Sequence, residues 1–221
     1  QRDGNLYPTH GLGPIAQYMG LDRGEDRFAR ISSFSSPALG RARFAQRNFP
    51  ADHPRNTAQY RCGDINTSIV KTERGRTVMI QHDTTSPRPY TRHNLVSGTT
   101  GTLAGFPTRV ALDPEGEGAH HWVEGGKLQS VYQEHDPPLY TGLMERARGG
   151  GHGGMDFIMM WRMVSCLRDG MPMDQNVYEG CSWSAVSPLS EWSVAHDGAP
   201  VAFPDFTRGR WRETKPLGIV G

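Results

Sequence analysis

The chain has 221 residues, 36% of them hydrophobic and 21% charged, with a formal net charge of +1 at pH 7. That length suits one domain of generous size, and the near-neutral balance removes the main electrostatic basis for nucleic-acid binding. No apolar run approaches the ~20 residues of a membrane helix, and no apolar segment marks an export signal. The 27 glycines and 16 prolines predict a turn-rich globular domain. Cys62, Cys166 and Cys181 share no metal-ligand spacing and are odd in number, so they read as small buried hydrophobes.

Pro14 suits the first turn of a helix, with Ile15, Tyr18 and Met19 on one face. Phe28 to Phe34 alternates as a strand, and Pro37 to Arg61 is polar and irregular, a surface excursion. Ile65 to Thr72 and Thr77 to Thr84 are β-rich runs joined by Glu73–Arg76, a hairpin in which Gly75 can take positive φ. Asn94–Ser97 and Thr108–Leu112 are further short strands, separated by the Gly/Thr-rich stretch Gly98–Gly105. Gly116–Gly126 reads as a loop.

The second half is predicted helical. Leu139–Arg148 ends at a triple glycine, and Met155–Leu167 is apolar on nearly every side, which predicts a buried helix stopped by Gly170 and Pro172. Asp174 is placed to cap a helix from Gln175 to about Ala185, and Val201–Phe206 reads as a last strand. The expected class is therefore α+β in a single domain, 1–221, with no internal repeat.

Three constellations can carry chemistry. Tyr7-Pro8-Thr9-His10 sets a phenol and an imidazole on a stiffened backbone, fit to bind hydroxyls or move protons; a buried tyrosine and a helix-capping histidine remain the alternative. Asp83–Tyr90, with Arg92 and His93, is a proline-pinned loop at a strand end, either lining a polyol pocket or simply solvated. His152, unshielded within Gly149–Gly154, either meets a ligand or satisfies the helix start beside Asp156. His120–His121 lacks a third ligand at metal-site spacing and reads as surface. No acid pair for ordinary glycoside hydrolysis stands out among Glu115, Glu117, Glu124, Glu134, Glu179 and Glu191, and there is no Gly-x-Ser-x-Gly elbow. The glycine run 149–154 follows a helix, not a strand, so it fails the test for a dinucleotide fingerprint.

Leu6-Tyr-Pro-Thr-His-Gly-Leu-Gly-Pro-Ile-Ala-Gln-Tyr-Met19, Asp83-Thr-Thr-Ser-Pro-Arg-Pro-Tyr90, Asn94–Gly98, Gly150-Gly-His-Gly-Gly-Met-Asp-Phe157 and Pro204–Gly209 resemble glycoside hydrolase family 109. These are NAD-dependent α-N-acetylgalactosaminidases of the Gfo/Idh/MocA oxidoreductase superfamily. The resemblance runs from Asn5 to about Trp211 and covers the family's C-terminal half only, without the Rossmann domain. It implies an open mixed or antiparallel sheet with helices on one face, the other face making a homo-oligomer contact. It matches Tyr7, Pro8, Thr9, His10 and Tyr90 to substrate-binding positions and makes His10 the catalytic candidate; His152 at the active-site rim is inferred here.

The implied reaction is oxidation at the sugar C3 by NAD, loss of the C2 proton, elimination at C1, addition of water and return of the hydride, with the cofactor regenerated. The implied partners are an N-acetylgalactosamine-containing glycan and an N-terminal NAD-binding half, with no nucleic acid, membrane or metal. A sugar oxidoreductase of the same superfamily and a non-catalytic isolated domain are the alternatives. The compartment stays open between periplasm and cytoplasm.

Overall fold

A computed structural model describes residues 2–113, 120–215 and 217. It divides the chain into two units, Gln1–Tyr90 with Val177–Pro216, and Thr91–Asn176 with Leu217–Gly221. In the first, α1 (Thr9–Tyr18) precedes β1 (Phe28–Ser35), α2 (Gly40–Asn48), α3 (Pro54–Thr57), β2 (Ile65–Thr72) and β3 (Thr77–Asp83). In the second lie β4 (Leu95–Ser97), β5 (Gly101–Ala104), β6 (Arg109–Leu112), α4 (Gly126–His135), α5 (Pro138–Ala147) and α6 (Met155–Asp169). The chain returns to the first unit with α7 (Val177–Ala195) and β7 (Val201–Ala202).

The first unit is built on a four-stranded sheet in the order β3-β2-β1-β7, antiparallel throughout. The hairpin β2–β3 turns through Gly75 at φ +85°, as its sequence predicts. Ile31 pairs with Val70, and Val70 with Val78, so these side chains share one face. They pack with Phe28, Ile80, Leu12 and Ala16 of α1, and Trp183 and Val186 of α7, as one core. A Cβ at Gly13 would meet the Trp183 ring at 3.0 Å, so glycine lets α1 lie close against α7. The opposite register positions face outward: Ile69 and Met79, also paired, are 52% and 67% exposed. The fold class is α+β as expected, resolved to antiparallel strands with helices on one face of this sheet. The second unit holds its own antiparallel sheet, β4-β5-β6.

Several local expectations are corrected. Helix α1 begins at Thr9, five residues before Pro14, which lies inside it. Pro14 only removes the amide that would bond the His10 carbonyl, and the preceding glycine tolerates the crowding a proline imposes. The 37–61 excursion contains α2 and α3, β5 lies within the Gly98–Gly105 stretch, and α4 carried no recognised periodicity. Helix α6 forms where expected but is not buried: Met155, Met159, Val164 and Leu167 are each more than half exposed, and only Ser165 and Cys166 are fully covered. Its unit supplies α5 along one side, too little to surround a helix apolar all round. The Asp174 carboxylate takes a bidentate hydrogen-bond pair from Arg162, and α7 starts at Val177, two residues later than expected, and runs to Ala195. The last strand shrinks to two residues, although Phe203 beyond it stacks on Phe28. Cys62 and Cys166 are buried as expected, whereas Cys181 is exposed. Among the described residues no helix is long and apolar enough to cross a membrane.

One pair of opposite charges is buried in the core. Arg23 donates two hydrogen bonds to Glu179 at the start of α7, at 2.5 and 2.8 Å, with both side chains almost wholly buried. Removing one partner of such a pair costs about 3–5 kcal/mol. Next to it, burial pushes the Asp22 carboxyl up to about 6; a Ser182 hydrogen bond and the Arg27 charge oppose this, and the charges of Glu179 and Asp205 assist it. An acid whose folded pKa is raised binds protons more readily in the native state, so stability falls as pH rises from about 4 through 6. Asp22→Asn is therefore expected to raise stability by about 2–3 kcal/mol at pH 7. Asparagine tolerates the positive φ of 62° found there. Urea unfolding at pH 7 and pH 4 checks this: the gain should vanish at pH 4.

Candidate functional site

The approach to the Tyr7–His10 segment is fixed before Tyr7 is reached. Asn5 is buried; its amide donates to the Ser190 hydroxyl at 2.8 Å, its carbonyl accepts from Ser187 at 2.9 Å, and its side chain donates to the Ile80 carbonyl at 3.3 Å. Helix α7 and strand β3 thus hold the residue two positions ahead of Tyr7. Pro8 is buried in helical backbone geometry, and its carbonyl accepts the first helical bond, from Leu12, at 2.9 Å.

On this support the Tyr7 and His10 rings stack with centroids 4.8 Å apart, and the Tyr7 hydroxyl lies 3.4 Å from His10 Nε2. Tyr7 is 62% exposed and His10 is exposed too, so the buried-tyrosine alternative is set aside. The pair presents a phenol and an imidazole to solvent at the start of α1. These two groups can share a proton and bind a hydroxyl between them.

The Asp83–Tyr90 loop leaves the end of β3. Burial works against charge on Asp83, but hydrogen bonds from the Ser86 hydroxyl and amide, together with Arg88, outweigh it and hold the carboxyl below its usual range. Arg88 also donates to Gln81 at 2.9 Å. The loop is therefore pinned at its base, while Tyr90 at its far end is 76% exposed.

His152 belongs to the second unit. It adopts φ 53°, and its Nδ1 lies 3.0 Å from both carboxylate oxygens of Asp156, in the first turn of α6. Gly154, at φ +99°, is required there, since a Cβ would come within 2.9 Å of Ala147. The imidazole is exposed and oriented by its carboxylate, an arrangement that suits either ligand contact or a closed helix start. The glycine run itself follows α5 and leads through the 3-10 turn Gly151–Gly154 into α6. No strand precedes it, so these residues do not form a dinucleotide cradle.

His120 and His121 are exposed. Of the acids, Glu179 is consumed by Arg23 and Glu191 by Arg2, Glu124 and Glu134 are exposed, and Glu115 and Glu117 lie outside the described residues. The sequence reading passed over the α2–α3 excursion, where Arg41, Phe44, Arg55 and Tyr60 meet Thr84 and Thr85 around a cavity. Its signal was there to find: residues 40–61 hold five arginines against the single acid Asp52.

Residues 1–213 match the family described as Glycosyl hydrolase 109, C-terminal domain. The chain belongs to glycosyl hydrolase family 109. It is 61% identical to Glycosyl hydrolase family 109 protein 1 of Akkermansia muciniphila, with all of this chain and 46% of that protein aligned. It is 60% identical to the family 109 protein of Shewanella amazonensis, with all of this chain and 48% of that protein aligned. The chain thus spans about half the length of the curated relatives it matches. Among solved structures it is similar to an oxidoreductase domain protein from Kribbella flavida, with TM-score 0.57 and 14% identity over 91% of this chain and 52% of that one. It is also similar to levoglucosan dehydrogenase in complex with NADH and levoglucosan, with TM-score 0.55 and 16% identity over 91% of this chain and 51% of that one. These likenesses establish the fold alone, one shared with about half of each of those chains.

Asp83 makes a prediction for the loop. A depressed carboxyl stabilises above the unfolded pKa, near 4, and loses that contribution as pH falls through its folded value. Asp83→Asn should therefore speed hydrogen exchange at the Ser86 amide at pH 7 by about tenfold, the equivalent of roughly 1.4 kcal/mol. Wild type and variant should converge as exchange is followed below pH 4.

Proposed function

We propose that residues 1–221 act as one C-terminal domain that binds the sugar and supports oligomerisation in an NAD-dependent α-N-acetylgalactosaminidase. The observation that carries the reading is the Tyr7–His10 pair: two exposed proton-handling groups 3.4 Å apart, on a segment anchored by buried Asn5. When bound, NAD supplies reversible oxidation of a sugar hydroxyl; the glycine run of this chain does not fit it, so its binding is assigned to the remaining half of the longer protein.

The work of this chain is then positioning and proton transfer. Tyr7 and Tyr90 orient the sugar ring through their hydroxyls, Pro8 and Thr9 fix the backbone beneath it, and His10 takes or returns a proton at the ring. An imidazole has one nitrogen that can accept a proton and one that can donate it, so it can do both. Such chemistry requires no pair of carboxylic acids, in keeping with the occupied or exposed state of the described glutamates.

In the intact protein, His10→Gln should lower kcat on a nitrophenyl α-N-acetylgalactosaminide about 10²- to 10⁴-fold, with sugar affinity changed less than threefold. Unchanged turnover would remove His10 from the reaction. Assaying the nucleotide alongside separates the oxidoreductase alternative, because a net dehydrogenase accumulates reduced cofactor while a glycosidase releases free sugar without it.

The outward face of the β3-β2-β1-β7 sheet, with Ile69 and Met79 exposed, is the surface proposed for the homo-oligomer. Met79→Lys should shift the intact protein toward monomer in analytical ultracentrifugation. An unaltered distribution would place the contact elsewhere.

A further inference from the structure

The α2–α3 excursion has no part in the reading above, yet it shapes a cavity of about 490 Å³ in the first unit. That lies within the range of small-molecule sites, about 300–1,000 Å³. The cavity is lined by Arg41, Phe44, Arg55, Tyr60, Thr84 and Thr85, among others.

The walls are held in place. Asp64 accepts the amides of Leu39 at 3.0 Å and Gly40 at 2.9 Å and the Thr85 hydroxyl at 2.6 Å, tying the start of α2 to the loop after β3. Burial opposes charge on Asp64, but these bonds and the nearby Arg41 outweigh it and keep the carboxyl low. A Cβ at Gly40 would come within 2.8 Å of Thr85, so the two walls meet closely. On the other side Tyr60 donates to the Arg55 carbonyl at 3.1 Å, while the Arg55 guanidinium lies 4.6 Å over the Phe49 ring.

The cavity sets two guanidinium-bearing side chains against one nearby carboxylate, Asp64, which offsets only part of their charge. Neither Arg41 nor Arg55 makes an ion pair with a described carboxylate, and Asp64, the acid nearest at hand, already spends its oxygens on two amides and a hydroxyl. The segment around it is basic in a chain whose net charge is only +1. Unpaired arginines in a concave site concentrate anions and bind oxyanions in a planar, bidentate fashion. Flat aromatic walls and threonine hydroxyls suit the body of a sugar ring.

We infer that this cavity binds an acidic sugar, its sulfate or carboxylate held by Arg41 and Arg55 and its ring lying between Phe44 and Tyr60. The choice of a sugar as carrier of the anion rests on the glycosidase reading; the anion site itself rests on the cavity. Its proximity to the Asp83–Tyr90 loop, through Thr84 and Thr85, makes it a subsite for an acidic residue of the glycan substrate.

The test is calorimetric titration of the intact protein at low salt with galactose, galactose 6-sulfate and galacturonic acid, which differ only at C6. At least one acidic sugar should bind ten times tighter than galactose, the tighter of the two naming the anion. Arg41→Gln with Arg55→Gln should abolish the preference while leaving the unfolding temperature and turnover of the neutral nitrophenyl N-acetylgalactosaminide unchanged. Equal binding of the three sugars would overturn the inference, as would a preference that survives the double substitution. Competition by a short oligothymidylate at equal concentration would overturn it too, since the cavity would then read phosphate. Turnover of the neutral substrate in the same preparation reports separately on the glycosidase reading, so the two can fail independently.

Discussion

The first unit depends on how α7 lies against its sheet. The face α7 presents is unusual in being lined with hydroxyls: Ser182, Ser190 and Ser193 are buried, and across from them the sheet buries Ser33, Asn66 and Ser68. Ser193 accepts the Ser33 amide at 2.9 Å and donates to the Ala199 carbonyl at 2.8 Å, while Ser33, Asn66 and Ser68 bond one another. Small side chains allow close approach, and satisfied hydroxyls avoid the penalty of buried polar groups. At one end of the helix the Arg23–Glu179 pair adds a requirement of register, because both charges must meet to be tolerated.

The same helix reaches the candidate site through Asn5. Ser187 and Ser190 grip its backbone from α7 and Ile80 takes its side chain from β3, so Tyr7 and His10 emerge from a segment tied to two core elements. A stacked, exposed pair on such a base keeps its geometry without help from a flexible loop, which is what a positioned proton-transfer group needs.

Much of this was legible in the letters. Loose period-two alternation located β1, β-rich runs located β2 and β3, and the Glu73–Arg76 turn gave the β2–β3 hairpin, with Gly75 at positive φ. Tyr7 and His10 were legible as chemistry because proline and glycine surround them. The contact between them was not, since their spacing of three residues brings rings together only if a helix begins at Thr9, and Pro14 drew the expected start five residues later. Helix α6 misled for another reason: an all-apolar pattern records that a helix will be covered, and within this chain it is not. Helices α2 and α3 escaped because their periodicity is carried by arginine and asparagine rather than apolar residues, although their charge imbalance was plain. Buried Asp22 was invisible, since its burial comes from long-range packing with α7.

The proposed function rests on one physical claim, that His10 handles a proton at the sugar ring in a glycosidase that works without paired acids. The most direct measurement is deuterium incorporation from heavy water into carbon-bound positions of the released N-acetylgalactosamine, followed by proton NMR with the intact protein. The account predicts incorporation with the wild type and its loss in step with turnover when His10 is replaced by glutamine. A released sugar that carries no carbon-bound deuterium, from a protein that hydrolyses its substrate at full rate, would contradict it.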